Sequence, residues 1–490
     1  MKRCLLFPLL LFALHAVAVE PPRTEVRGIW LTTAFALDWP HNLATSDKGR
    51  DAQKEELCIL LDKLQNANFN TVFFQVRLRG DVIYPSSIER FSSVLTGHEG
   101  ASPGYDPLAF AVDECHKRGL ECHAWFVTFP LGSDRLVKNQ GKYSVVKLRS
   151  SLCKHYNGEW FLDPGASGTA DYILSLVKEI VGKYDIDGIH FDYIRYPEDA
   201  KLFPDKQQYK KSGGQIQIDN WRRDNINKLV YRVYDTVKGM KPWVQVSSSP
   251  LGKYQRIPEV PNAGWTAYES VYQDAVKWMK NGKQDMLVPM MYYLNSNFFP
   301  FVNNWVQNSN GRLVVPGLGA YRMLKEEGGW TLNNVTDQID YSRANGAVGC
   351  NFFRGEQVIN NVNGLYDVLK NNYYKYPALL PPLTWINNSI PAKPTGLSVE
   401  HVGDNLKITW KKPEGENQQL TYTVYFSLNG DPSIQSAQNI LMSGIRGTEL
   451  YLPVGNVEQG YCFAVTAMTR CHIESKPSNE SYYYLSRYIK

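Results

Sequence analysis

The chain has 490 residues, 43% hydrophobic, 21% charged and 13% aromatic, which excludes a disordered or collagen-like chain and allows two or three domains. Its 53 Lys and Arg stand against 48 acids, a net charge of +5 without a long basic run, so nucleic acid is not suggested as a partner. The 30 Tyr and 12 Trp suit a surface that stacks on sugars, although aromatic rings also fill cores.

Residues 1–18 predict a secretory signal peptide. Lys2 and Arg3 open it, residues 5–14 are almost wholly apolar, and Ala16-Val17-Ala18 has the small-x-small form of a cleavage site. The expectation is an exported chain, periplasmic or associated with the cell envelope. The apolar run is too short for a permanent span and no later stretch approaches ~18 apolar residues, so no transmembrane segment is expected. Export permits disulfides. Cys462 and Cys471, read as lying across a hairpin, are the expected pair; Cys58, Cys115, Cys122, Cys153 and Cys350 are expected as buried thiols. CxxC and HExxH patterns are absent, so neither a metal nor another cofactor is expected.

Strand-like runs at 26–32, 71–76, 120–128, 188–193, 243–249, 285–293, 313–320 and 347–353 alternate with helical ones. The helices are expected at 57–66, 108–118, 170–183, 221–238 and 270–279, and before each of the last two strands. Eight strands in alternation predict an α/β fold, a (β/α)8 TIM barrel, over residues 25–376. An open doubly wound sheet is the competitor, but Thr32-Thr33-Ala34-Phe35 stands where its Gly-rich turn would be. Residues 377–394, with Pro377, Pro381, Pro382, Pro391 and Pro394, predict a stiff linker. Short alternating strands over 395–490 predict a small all-β sandwich. Its Pro-x-x-Pro-x-x-Leu start at 391–397, Trp410 and the run 461–467 resemble a fibronectin type III module. It is read as a spacer or as a docking unit for an envelope partner. Tyr482, Tyr483 and Tyr484 there are either a carbohydrate-binding patch or an edge strand.

In such a barrel the chemistry lies at the C-terminal ends of the strands. Alternation sorts each strand into two faces. On the fourth, Ile189 and Phe191 face the helices, while Gly188, His190 and Asp192 face inward, with Arg195 and Tyr196 on the following loop. The second strand offers Gln75 and Arg77, the third His123 and Trp125, the sixth Met290 and Tyr292, the first Trp30 and Thr32. A His and an Asp inside a barrel are costly unless used. A carboxylate beside a His and an Arg, walled by Trp and Tyr, suits glycoside hydrolysis, with a polysaccharide as substrate. Asp192 is then a nucleophile, a proton donor or a proton acceptor. Trp30, Trp39 and Trp125 are candidates to stack on sugar rings, and Gln75 and Arg77 to bind their substituents. His123, Arg195 and Tyr292 complete the candidate set. Glu356, just past the eighth strand, is the candidate second carboxylate, with Glu269 and Asp38 as alternatives. Asp187, at the other end of the fourth strand, reads as structural. A Ser nucleophile is disfavoured, because a Gly-x-Ser-x-Gly elbow is absent.

Several motifs, in order, resemble the glycosyl-hydrolase-like 10 family. They are Glu25-Val-Arg-Gly-Ile-Trp30-Leu-Thr-Thr33 with Asp38-Trp39-Pro40, Phe74-Gln75-Val-Arg77 with Gly80-Asp81, Gly104-Tyr-Asp-Pro-Leu108, Arg118-Gly-Leu-Glu-Cys-His123-Ala-Trp125, and Asp187-Gly-Ile-His-Phe-Asp192-Tyr-Ile-Arg-Tyr-Pro197. Asp285-Met-Leu-Val-Pro-Met-Met-Tyr292 looks like that family's sixth strand. The resemblance implies a secreted TIM-barrel glycosidase acting on peptide-stripped peptidoglycan glycan strands, with more distant relatives cutting partly deacetylated poly-N-acetylglucosamine. It also implies Asp192 as the catalytic residue. Two departures stand out. Tyr193 occupies the place of a second adjacent acid, and Phe126-Val-Thr-Phe-Pro130 the place of Asn-Pro-Tyr-Arg. The expected function is thus an exported glycoside hydrolase of N-acetylhexosamine polymers. A non-catalytic glycan-binding barrel and an envelope scaffold are the alternatives.

Overall fold

The computed structural model describes residues 21–212, 214–415, 419–428, 430–453 and 460–483; the expected signal segment and Tyr484 lie outside them. Eight parallel strands close on themselves: β1 (Val26–Leu31), β2 (Thr71–Arg77), β3 (Glu121–Val127), β4 (Gly188–Asp192), β5 (Gln245–Ser248), β6 (Met286–Leu287), β7 in two halves (Leu313–Val314 and Gly317–Gly319) and β8 (Gly349–Phe353). Each pairs with the next, and β8 pairs with β1. The closed circuit makes the chain a (β/α)8 barrel and removes the open sheet from consideration. β6 is short because Pro289 has no N–H to give. The sheet resumes as isolated bridges from Met290 to Leu251 and Gly317.

The helices between the strands begin where side chains cap them. Asp106 accepts from the backbone N–H groups of Leu108 and Ala109 and is followed by Pro107 at the first turn of α2 (Pro107–Lys117). α1 (Asp47–Asn66) starts ten residues before the expected 57, because Ser46 caps a polar first half that carries little apolar periodicity. The helix expected at 270–279 starts only at Ala275, since Tyr272 takes a left-handed φ of 60° and breaks the run. Outward residues such as Ile29, Val72, Phe74, Ile189 and Phe191 are buried under the helix layer. Inward ones, among them Trp30, Phe73 and Trp125, fill the barrel.

After the barrel come two antiparallel sheets. Strands Thr395–Val402, Asn405–Lys411 and Glu449–Pro453 form one; Ile440–Ile445, Thr421–Ser427, Tyr461–Met468 and Ser481–Tyr483 form the other. They enclose a core of Leu406, Ile408, Trp410, Val424, Phe463 and Val465, the all-β sandwich expected. Ser481–Tyr483 is an edge strand, as one of the two readings of that segment held.

The sandwich is docked on the N-terminal end of the barrel rather than held away as a spacer. Arg446 and Arg470 both bind Asp185 and Asp187, at 2.7–3.1 Å. His116 Nε2 lies 2.8 Å from Asp187 Oδ2, which also accepts from the Cys122 N–H. Gly119 and Gly444 let two loops touch; a Cβ at Gly119 would sit 2.3 Å from the Ser443 carbonyl oxygen. The proline-rich segment is packed as well. Trp385 Nε1 donates to Asp285 (2.8 Å), and the Leu383 N–H to the Cys471 carbonyl (2.9 Å).

The expected Cys462–Cys471 disulfide is not formed: both are free thiols, as are the other five cysteines among the described residues. The turn falls later than read: Tyr461–Met468 is one strand, and the chain turns only after it, with Glu474 bridging back to Met468. Cys462 lies six residues before the strand's end, about 20 Å at ~3.3 Å per residue, and Cys471 lies in the turn beyond that end, out of reach of a disulfide.

Candidate active site

At the C-terminal end of the barrel lies a cleft of about 530 Å3. Trp30, Gln75, Trp125, Asp192, Arg195 and Tyr292 all line it, so six of the expected side chains converge. Asp192, the last residue of β4, is buried on its floor. Its Oδ1 accepts from Ser249 Oγ (3.0 Å) and from the Tyr193 N–H (2.7 Å), and its Oδ2 from Trp125 Nε1 (3.3 Å). The strand end is clamped by Thr128, whose N–H and hydroxyl both donate to the Asp192 carbonyl at 2.9 Å. Burial pushes the Asp192 carboxyl above its ordinary value; the donors from Ser249 and Tyr193 and the nearby Arg195 charge pull the other way and lose. Such a group is suited to hold a proton for delivery.

The rest of the cleft is aromatic and polar. Tyr292 stacks on Phe353 (5.7 Å between centroids, 22° between planes), and Tyr321 meets both edge-on. Arg195 lies 4.5 Å over the Tyr193 ring and pairs with Glu198 at 3.0 Å. Gln75 Oε1 accepts from Thr32 Oγ1 (2.8 Å) and from the Thr33 and Ala34 N–H groups (3.0 Å each). That fixes the loop after β1. Arg79 also lines the cleft, stacked against the exposed ring of Phe35 at 5.1 Å, and no acid among the described residues pairs with its guanidinium. Glu159 and Glu198 are the other carboxyls on the cleft wall. Glu159 comes from a hairpin inserted between β3 and β4, Cys153–Tyr156 with Glu159–Leu162, and has no ion-pair partner among the described residues.

Five expected residues fall elsewhere. His190 lies one layer below the cleft, with Nε2 receiving the Trp30 indole N–H (3.2 Å) and Nδ1 bonded to Ser247 (2.9 Å). Burial and His123 hold it well below the ordinary histidine value, so it is neutral and supports Trp30 rather than meeting substrate. Trp39 is in the core against Phe74, its indole N–H on the Gln53 carbonyl at 2.9 Å. Arg77 points outward, because a bulge between Gln75 and Arg77 breaks the alternation; it is locked to Glu89 by two bonds of 2.7–2.8 Å. His123 faces inward but deep, filling the space beside Gly188, 3.0 Å from Glu121. Glu356 is bound by Arg354, and its N–H caps Asp38 Oδ1 at 2.8 Å, outside the cleft. Asp38 itself accepts from the Thr32 N–H and is pushed up to about 6 by burial; it staples β1 to the loop after β8. Ser249, Tyr321, Phe353, Arg79 and Glu159 were not expected. Ser247 and Ser249 alternate inward at the end of β5, a signal the sequence carries. Glu159 has none.

Among the described residues no cluster of His, Cys, Asp or Glu is arranged to hold a metal, and no helix is long and apolar enough to cross a membrane.

Comparison with known proteins bears on the family and the fold. The glycosyl hydrolase-like 10 family matches residues 25–312. The chain is 31% identical over 488 residues to glycosyl hydrolase YngK of Bacillus subtilis, covering 93% of each. It is 32% identical over 360 residues to glycosyl hydrolase DigH of Escherichia coli K12, covering 65% of this chain and 81% of that one. Its fold is similar to the glycoside hydrolase domain of PgaB (BpsB) from Bordetella bronchiseptica, with a TM-score of 0.50 at 12% identity over 71% of this chain and 98% of that domain. Of the three readings open to the sequence, the family match and the curated relatives select the hydrolase. The chain belongs to the glycosyl hydrolase-like 10 family and is a glycosidase.

Proposed function

We propose that this glycosidase is exported and cleaves N-acetylhexosamine polymers, peptidoglycan glycan strands first among them, with Asp192 as its proton donor. The observation that carries the reading is the dry, hydrogen-bonded Asp192 carboxyl on the floor of an aromatic cleft. Protonation of the leaving glycosidic oxygen is favoured by a carboxyl that holds its proton more tightly than usual, the direction in which burial moves Asp192. Trp30, Trp125 and Tyr292 offer ring faces and edges for the pyranose, and the side-chain amide nitrogen of Gln75 is left for a sugar substituent. Glu198 is tied by Arg195, which leaves Glu159 as the cleft carboxylate free to act opposite the acid. Arg79 favours peptidoglycan strands over a neutral polymer. A guanidinium without an acid of its own matches the lactyl carboxylate of muramic acid once the peptide is gone.

The test is mass spectrometry of peptide-stripped glycan strands after incubation with the protein. Wild type is expected to release soluble oligosaccharides. Asp192→Asn, which keeps the volume but cannot donate the proton, is expected to lose about 10²–10⁴-fold in rate with an unchanged melting temperature. A folded Asp192→Asn that still cuts would refute the assignment of Asp192. Activity retained in Glu159→Gln would remove Glu159 alone.

A further inference from the structure

The segment 130–162, which carries the inserted hairpin, holds six Lys and Arg against two acids, so it accounts for four of the five net positive charges of the chain. Its outer face is an open groove of about 920 Å3 lined by Asp134, Val137, Lys138, Lys142, Lys147 and Trp160, among others. None of Arg135, Lys138, Lys142, Lys147 and Arg149 is in an ion pair among the described residues. The acid at hand is spent: Asp134 takes the Trp160 indole N–H at 2.7 Å and His155 Nε2 at 3.2 Å. Those bonds, with His155 5.0 Å from the Trp160 ring, fix the indole as one wall of the groove. Strand alternation sets its direction. Glu159 and Phe161 line the catalytic cleft, and Trp160 between them lines the groove.

We propose that this groove is a second, non-catalytic binding site for a carboxylate-bearing polysaccharide. Trp160 is the sugar platform, and Lys138, Lys142 and Lys147 are its charge partners. Like charges left unpaired on one lobe create a local field that gathers a polyanion, and a held indole face gives that field a place to seat a ring. A glycan fits better than an anionic lipid surface, because the platform and the cleft wall are neighbouring residues of one strand. A chain lying across Trp160 is delivered to the rim of the cleft. The site does not depend on which bond the cleft cuts.

Binding is measured in the Asp192→Asn background, so that nothing is cleaved. The probes are peptide-stripped glycan strands, neutral chitohexaose and anionic phosphatidylglycerol vesicles, each at low and high salt. Trp160→Ala and the triple Lys138→Gln, Lys142→Gln, Lys147→Gln are each expected to weaken strand binding about tenfold. Only the triple should flatten the salt dependence, and chitohexaose binding in the cleft should not change. Three results would overturn the site: strands bound as tightly by both variants, a loss in the lysine triple with Trp160→Ala silent, or vesicle binding with the same sensitivity in place of strand binding. All substituted side chains lie at the surface groove, and unchanged melting temperatures separate lost binding from lost fold. Failure of wild type to cleave strands would count against the proposed function, not against this site.

Discussion

Ser249→Ala tests the role of Asp192 without touching its carboxyl. Ser249 Oγ donates to Asp192 Oδ1 at 3.0 Å and has only a 3.5 Å alternative in the Phe191 carbonyl, so the substitution removes one donor from the carboxylate. A hydrogen bond to a charged group contributes about 1.5–3 kcal/mol, and part of it survives when the carboxyl is protonated. With about 1.4 kcal/mol per pKa unit, the Asp192 value should rise further by about one unit. Burial already holds it above its ordinary value. An acid catalyst works below its pKa and fails as pH rises through it. The alkaline limb of the rate profile should therefore move up by about one unit. The assay is initial rate of strand cleavage across pH, with the melting temperature followed in parallel. If Asp192 instead served as base or nucleophile, the acid limb would move up and activity at neutral pH would fall. If neither limb moved, Asp192 would not be the titrating group and the proton-donor reading would be wrong.

The docked sandwich makes two further predictions. Arg470→Ala removes one of two guanidinium partners from the buried Asp187 and is expected to cost about 2–4 kcal/mol in denaturant unfolding, whereas a change below about 0.5 kcal/mol would mean that Arg446 and His116 suffice. His472 bonds Glu121 through Nε2 (2.6 Å) and the Pro381 carbonyl through Nδ1 (2.8 Å), and is raised from the ordinary histidine value: burial lowers it, but Glu121 more than offsets that. Glu121, which burial pushes up, is held below the usual carboxylate range by His472 and His123. The pair thus stabilises the fold above the ordinary Glu value and loses that contribution as pH rises through the raised His472 value. Stability followed by calorimetry should fall on the alkaline side in wild type and stay flatter in His472→Gln.

Much of this was legible in the sequence because strands alternate. Asp192 and His190 fall inside β4, and Ile189 and Phe191 outside, as period two requires. Depth was not legible. His123 and Trp125 share a face, yet one residue pair along the strand separates the base of the barrel from the cleft. Arg77 was misplaced by a bulge, which leaves no mark in composition. Arg79 reaches the cleft from a loop and Glu159 from an inserted hairpin, and the course of both depends on tertiary packing. The missing disulfide followed from placing the turn between the two cysteines, whereas Cys471 sits in the turn itself.

The ties at the base of the barrel also set an order of events. Glu121 meets His472 across 351 residues, and Asp187 meets Arg470 across 283. At about 5–20 residues per second, roughly 20–70 s of synthesis separates Glu121 from its partner. Through that interval Glu121 and Asp187 have only partners from the barrel itself, His123 and His116 among them, and the face that the sandwich later covers is open. The last turn of the sandwich is then the cap that completes an enzyme begun three hundred residues earlier, and a chain stopped short of it would end with that face still open to water.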